Sequence, residues 1–285
     1  MKSILLPITS YTANENIMRI AGVLAFQYRA SLKALFVRPD ARSAIPFMGE
    51  GLTADMIQDL CNASEREGLE QANSAKTSFF TAMEAAGVAV ADSHKKTEGA
   101  SASWQVVAGE VADYVGRRAR TSDMAICTRP DSRMVDSQEI FKDLVYRSGR
   151  PLIVIPTTYS DTPGRRVLVG WNGSAECARA VGAALPILWS AEQVSLLQIG
   201  EANGDRPGLE DVAEYLADHG VNTEQIVEAK TGDPIGAQIH AAAVQQRADM
   251  IVLGAYSHSR WRELILGGVT QYLATHSELP IFMSH

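Results

Sequence analysis

The sequence predicts an α/β fold of two tandem domains, each an open parallel sheet with helices on both faces. Three observations lead there. Short apolar runs alternate with helical patterns along the chain, the order expected of βαβ units. The order then repeats. Asp249 and Met250 answer Asp123 and Met124, while Pro280 and Ile281 answer Pro151 and Leu152, a duplication with a unit of about 120–155 residues. Between the copies, residues 157–164 (TTYSDTPG) have the polar, Pro- and Gly-bearing composition of a domain boundary. The expected domains are residues 1–157 and 162–285.

Residues 4–8 read as an apolar strand ended by Thr9 and Ser10. Ile17, Ile20, Ala21, Leu24, Ala25 and Tyr28, spaced by three and four, mark the helix after it. A second strand over 32–37 stops before Pro39. Residues 38–55, carrying Pro39, Pro46, Gly49 and Gly51, read as an irregular connection. Leu69, Ala72, Phe79, Phe80, Met83 and Ala86 then share one stripe of a helix. A third strand is expected over 104–107 and a helix between Glu110 and Arg120. A fourth strand over 123–128, a helix over 140–146 and a fifth strand over 151–155 complete the copy. In the second copy, strands are expected over 167–169, 194–199, 225–229, 249–254 and 280–282. Its helices are expected over 175–189, 209–219, 235–246 and 269–276.

Apolar residues make up 46% of the chain and charged residues 21%, the balance of a chain that buries a core in water. A net charge of −7 argues against a nucleic-acid partner, because phosphate backbones are held by basic surfaces. Cys61, Cys127 and Cys177 are odd in number and far apart, so neither a disulfide framework nor a zinc site is expected. No apolar run reaches the roughly 18 residues of a membrane span. The expected compartment is the cytoplasm, with no membrane partner.

Open parallel sheets bind ligands beyond the carboxyl ends of their strands, where the strand order reverses. In the second copy the loop after strand one is residues 170–174 (GWNGS), and strand four (249–254, DMIVLG) leads into residues 254–268. Gly267 and Gly268 open the following helix, and Ser257, His258, Arg260 and Arg262 lie in the loop before it. Bare N–H groups at a helix start can hold an anion, which makes this a phosphate cradle. The same glycines also suit an ordinary strand-loop-helix joint. Ser174 is placed to cap the helix behind it, Asn172 and Gly173 to form a turn, and His276 to end a helix. The equivalent loops of the first copy, 7–10 and 128–132, contain no glycine. With Asp131, Arg133 and Asp136 nearby, that half reads as a degenerate copy of the site.

The repeated α/β unit, the Gly-Asp-Pro at 232–234 and the segment 248–254 resemble the universal stress protein family in its tandem form. The resemblance implies Rossmann-like domains of the adenine nucleotide alpha hydrolase-like type. It implies a stress-response protein that is not an enzyme, with ATP or AMP as ligand and Mg alongside ATP. Nucleotide-binding members carry Gly, two residues, Gly, nine residues, then Gly-Ser or Gly-Thr. Gly254 takes the first place, Ser257 stands for the second glycine, Gly267 takes the third, and Gly268 replaces the hydroxyl residue. Thr270 stands where a further phosphate-contacting hydroxyl is often found. Asn172 replaces the family's acidic residue after strand one. His258 is placed to balance phosphate charge. The family also pairs its last strands across a dimer, which implies an internal pseudo-dimer here and a homodimer as a further form.

Enzyme signatures are sparse. No GxGxxG follows either first strand, and no GxxxxGK[ST], HExxH or Gly-x-Ser-x-Gly occurs. The expected function is nucleotide binding or sensing without catalysis, through the second domain. Two other readings stand beside it: an interaction protein with an empty site, and a slow ATP hydrolase.

Overall fold

The structure, a computed structural model, describes residues 1–41, 53–91, 99–201, 204–255 and 268–285. They form two compact units, Met1–Cys127 with Ser132–Ser148, and Thr128–Asp131 with Gly149–His285. No described helix is long and apolar enough to cross a membrane.

The first unit runs β1 (Ser3–Ile8), α1 (Glu15–Tyr28), β2 (Ser31–Arg38), α2 (Ala54–Ala85), β3 (Ala89–Val90), β4 (Ser101–Ala108), α3 (Val111–Ala119), β5 (Met124–Thr128) and α4 (Val135–Arg147). Its strands lie in the order β3-β4-β2-β1-β5, and every pair is parallel. Consecutive residues Ile4, Leu5 and Leu6 are all buried, as in a strand covered on both faces. Asn14 starts α1, its side-chain oxygen accepting from the N–H groups of Asn16 and Ile17 at 2.9 and 3.3 Å. The connection expected over 38–55 falls largely on 42–52, outside the described residues.

Three local expectations are corrected. The third strand begins at Ser101 instead of Trp104, because the small residues Ser101 and Ala102 are buried and pair with Ser31 and Leu32 of β2. The two-residue β3, which pairs with β4, is too short to leave a period in the sequence. Helix α4 begins at Val135, well before Ile140, with Met134 at its N-cap and no side-chain cap to announce it.

The second unit contains β6 (Leu152–Ile155), β7 (Arg166–Gly170), α5 (Ala175–Leu188), β8 (Gln193–Ile199), α6 (Leu209–Asp218), β9 (Glu224–Glu228), α7 (Ile235–Gln245), β10 (Met250–Gly254), α8 (Gly268–His276) and β11 (Ile281–Ser284). The strand order is β6-β11-β10-β7-β8-β9. All pairs are parallel except β6 with β11, where Val154, Ile153 and Leu152 face Ile281, Phe282 and Met283. Thus β6, the last strand of the first sequence repeat, packs with the second unit. It covers what would otherwise be the open edge of β11.

The repeated Asp-Met pair has a structural cause. Asp123 accepts the N–H groups of Lys2 and Ser3 at 2.5 and 3.0 Å, tying the start of β5 to the start of β1. Asp249 does the same one unit later. It accepts from Gly164 at 2.7 Å and from Arg165 and Arg166 at 3.1 Å, tying β10 to β7. The methionine that follows is fully buried in each case. Each carboxylate satisfies backbone donors that a strand start leaves unpaired. Asp249→Ala is therefore expected to destabilise the second unit by about 1–3 kcal/mol, read as a lowered denaturation midpoint with an unchanged m-value.

Candidate functional site

In the second unit β7 pairs with β10 on one side, Val167 to Val169 facing Met250 to Val252, and with β8 on the other. The chain leaves β7 towards β8 and returns later to β10, so the strand order reverses between β7 and β10. The next strands, β8 after β7 and β11 after β10, lie on opposite sides of the pair, and a cavity of about 430 Å³ opens at the carboxyl ends. One wall is apolar: Leu197 and Ile199 from β8, Pro234, Ile235 and Ile239 from the start of α7, and Trp171 after β7. The opposite side is formed by Leu253 and Gly254 of β10 and by Gly268, Val269 and Thr270, the first turn of α8. Asn172 and Cys177 lie between. Apart from backbone groups, the described lining offers only the polar atoms of Asn172, Cys177, Thr270 and the Trp171 indole.

The loop after β7 is held by specific local bonds. Trp171 is buried, and its indole N–H donates to the Pro207 carbonyl at 3.0 Å, so it turns a ring rather than a donor to the cavity. Gly173 has φ +68°, and an added Cβ would stand 2.6 Å from the Pro207 oxygen, so the turn requires glycine. Ser174 caps α5, its hydroxyl accepting from the Cys177 N–H at 3.2 Å, as its position in the sequence suggests. The Asn172 side-chain oxygen accepts twice, from the Ser174 N–H at 3.0 Å and from the Cys177 thiol at 3.0 Å.

The turn before α7 is pinned in the same manner. Gln238 donates to the Asp233 carbonyl at 2.9 Å and accepts from the Thr231 N–H at 3.3 Å. These bonds fix Gly232, Asp233 and Pro234, so the Gly-Asp-Pro sets one lip of the cavity. Gly236 lets α7 approach α8, because a Cβ there would meet the Tyr272 ring at 2.8 Å.

Gly254 is needed for packing. A Cβ on it would lie 2.4 Å from the Cys177 nitrogen and 2.6 Å from the Glu176 carbonyl carbon, both backbone atoms of α5's first turn. Gly268 is different. Among the described residues nothing stands within 4 Å of an added Cβ, and its φ is not in the left-handed region. Thr270 is 3% exposed, and its hydroxyl has no hydrogen-bond partner among the described residues. Thr270 also lines the cavity.

Four of the residues singled out in the sequence, Asn172, Gly254, Gly268 and Thr270, thus line a single cavity. Ser257, His258 and Gly267, with Arg260 and Arg262, lie outside the described residues. Sequence reasoning missed Trp171, Cys177 and the apolar wall. For the wall, the end positions of β8 and the start of α7 were the available signal, since strand ends on this side face the crevice. In the first unit the loop after β1 closes on itself. Thr12 accepts from the Thr9 N–H at 2.8 Å, the two hydroxyls are 3.2 Å apart, and both residues are buried. His276 ends α8 with its ring stacked on Tyr272 at 4.6 Å.

Gly254→Ala is expected to push the first turn of α5 away from β10, with overpacking costing about 1–3 kcal/mol. Because Asn172 is bonded to that turn, the same variant should weaken any ligand held in the cavity. Denaturation midpoints and titration of the variant check both effects.

The family model for the universal stress protein family matches residues 164–285. No curated protein matches the chain. Among solved structures, a universal stress protein from Archaeoglobus fulgidus is similar over 98% of this chain and 97% of its own, with 17% identity and a TM-score of 0.69. A protein of unknown function from Pseudomonas aeruginosa is similar over 99% of this chain and 92% of its own, with 12% identity and a TM-score of 0.58. At these identities the likeness is one of fold.

Proposed function

We propose, from the match of residues 164–285 to the universal stress protein family model, that this chain is a cytoplasmic stress-response protein whose second unit binds ATP or AMP without turning it over. The observation that carries the reading is the cavity at the β7/β10 reversal. Its apolar wall suits the flat face of a base, and the first turn of α8, whose N–H groups have no partner within the helix, lies on the far side. The Thr270 hydroxyl, which has no partner among the described residues, adds a donor for a phosphate oxygen. Magnesium would arrive with ATP, held by phosphate oxygens. Among the described residues no cluster of three His, Cys, Asp or Glu side chains could hold it alone.

Mass spectrometry of small molecules released from the purified chain, followed by calorimetric titration with ATP and AMP, tests the reading. One adenine nucleotide per chain is expected, with no phosphate release on prolonged incubation. If nothing copurifies and neither nucleotide binds, the nucleotide reading fails and function through protein surfaces takes its place.

Gly268→Ser supplies a sharper test. The position is the first residue of α8, no described residue crowds a side chain there, and its backbone is not in the left-handed region. A serine there can both cap the helix and donate to a phosphate. A hydrogen bond to a charged group is worth about 1.5–3 kcal/mol, so tightening on the order of tenfold to a hundredfold is expected for ATP. Adenosine, which has no phosphate, should bind wild type and variant alike. Equal tightening of both ligands would mean that the first turn of α8 is not the phosphate side.

A further inference from the structure

Resting on the nucleotide reading, we propose that Cys177 is a positioning residue: its thiol locks the Asn172 amide so that the cavity offers its centre a hydrogen-bond donor only, and thereby selects a ligand whose middle segment carries oxygen acceptors, as a ribose does.

The lock follows from valence. A carboxamide oxygen has two lone pairs, and Asn172 Oδ1 receives two donors, the Ser174 N–H and the Cys177 S–H, each at 3.0 Å. The Cys177 sulfur is also 3.5 Å from the Gly170 carbonyl. Its single proton has two acceptors in reach, of which Asn172 is the nearer. Rotating the amide by half a turn would set its NH₂ against the Ser174 N–H and give up the thiol's bond to Oδ1, so the network favours the observed orientation. What remains for the cavity is Nδ2 with its two hydrogens.

The place of Asn172 follows from the sheet. Strands β8, β7 and β10 are neighbours in that order, each about 4.8 Å from the next. Residues at their carboxyl ends are therefore ranked across the cavity: the apolar wall beyond β8, Asn172 beyond β7, then Gly254 and the first turn of α8 beyond β10. A ligand with its flat apolar part on the first and its anionic part on the third brings its connecting segment to Asn172. In a nucleotide that segment is the ribose, whose 2′ and 3′ oxygens accept hydrogen bonds. Cys177 reaches no further than Asn172 in this scheme, and so acts through it.

The test uses the full chain and four proteins: wild type, Cys177→Ser, Cys177→Ala and Asn172→Leu. Each is titrated with ATP and with 2′,3′-dideoxy-ATP, and the Asn172 side-chain amide is followed by NMR in nitrogen-15-labelled protein. Wild type and Cys177→Ser, which keeps a donor, should favour ATP over the dideoxy analogue about fivefold, the worth of one hydrogen bond. Cys177→Ala and Asn172→Leu should lose that preference while still unfolding in one cooperative transition. The Asn172 amide pair should move on adding ATP to wild type, and should be displaced in Cys177→Ala without ligand. The inference is overturned if Cys177→Ala keeps both the preference and the wild-type amide signal, or if Cys177→Ser loses the preference as Cys177→Ala does. Wild type that binds both ligands equally removes this inference alone, whereas wild type that binds neither removes the nucleotide reading beneath it.

Discussion

The pairing of β7 with β10 is the constraint on which the second unit depends. Two parallel neighbours that are not consecutive in the chain must each send their next connection away from the other. The pair is fixed at both ends by quite different means. At the amino end the Asp249 carboxylate collects the N–H groups of residues 164–166. At the carboxyl end Gly254 lacks a side chain, which allows the backbone of α5's first turn to lie directly against β10. Once both ends are set, β8 and β11 lie on opposite sides of the pair, and the cavity opens at its carboxyl ends.

The cavity's chemistry is shaped by which polar groups have already been used inside the fold. The Trp171 N–H is taken by the Pro207 carbonyl, so the largest lining residue presents an apolar ring. The Asn172 oxygen is taken by two donors, so its side chain presents hydrogens. The first turn of α8 presents N–H groups by helix geometry. The side-chain groups that the described lining leaves for a ligand are therefore mainly donors.

The two sequence repeats share a framework more than a site. Asp123 and Asp249 perform the same tethering at equivalent places, each followed by a buried methionine. Their loops after strand one diverge in physical character. Thr9 and Thr12 bond to each other and fill the turn of the first unit. Gly170, Asn172 and Gly173 hold an open turn in the second, beside the cavity. A framework fixed by strand starts tolerates this divergence, since the loops stand at the opposite ends of the strands.

The alternation of apolar runs with amphipathic helices was enough to specify two parallel α/β repeats, because burial on both faces of a strand and one face of a helix leaves distinct periods in the sequence. The Asp-Met duplication marked the strand starts, and the glycines at 254 and 268 marked the turns beside the site. Ser174 was legible as a cap because capping acts over three residues. Other features were decided only in three dimensions. The role of Gly254 depends on α5 lying against it, and the donor-only face of Asn172 depends on a thiol one helical turn away. The apolar wall combines residues from β8 and α7 that are far apart in the chain. The reach of β4 back to Ser101, the short β3 and the transfer of β6 to the second unit likewise depend on which strand each one meets. Periodicity and capping are local and survive in a one-dimensional string. Strand adjacency is a long-range choice made by the competition of all strands for neighbours, and the cavity inherits its residues from that choice.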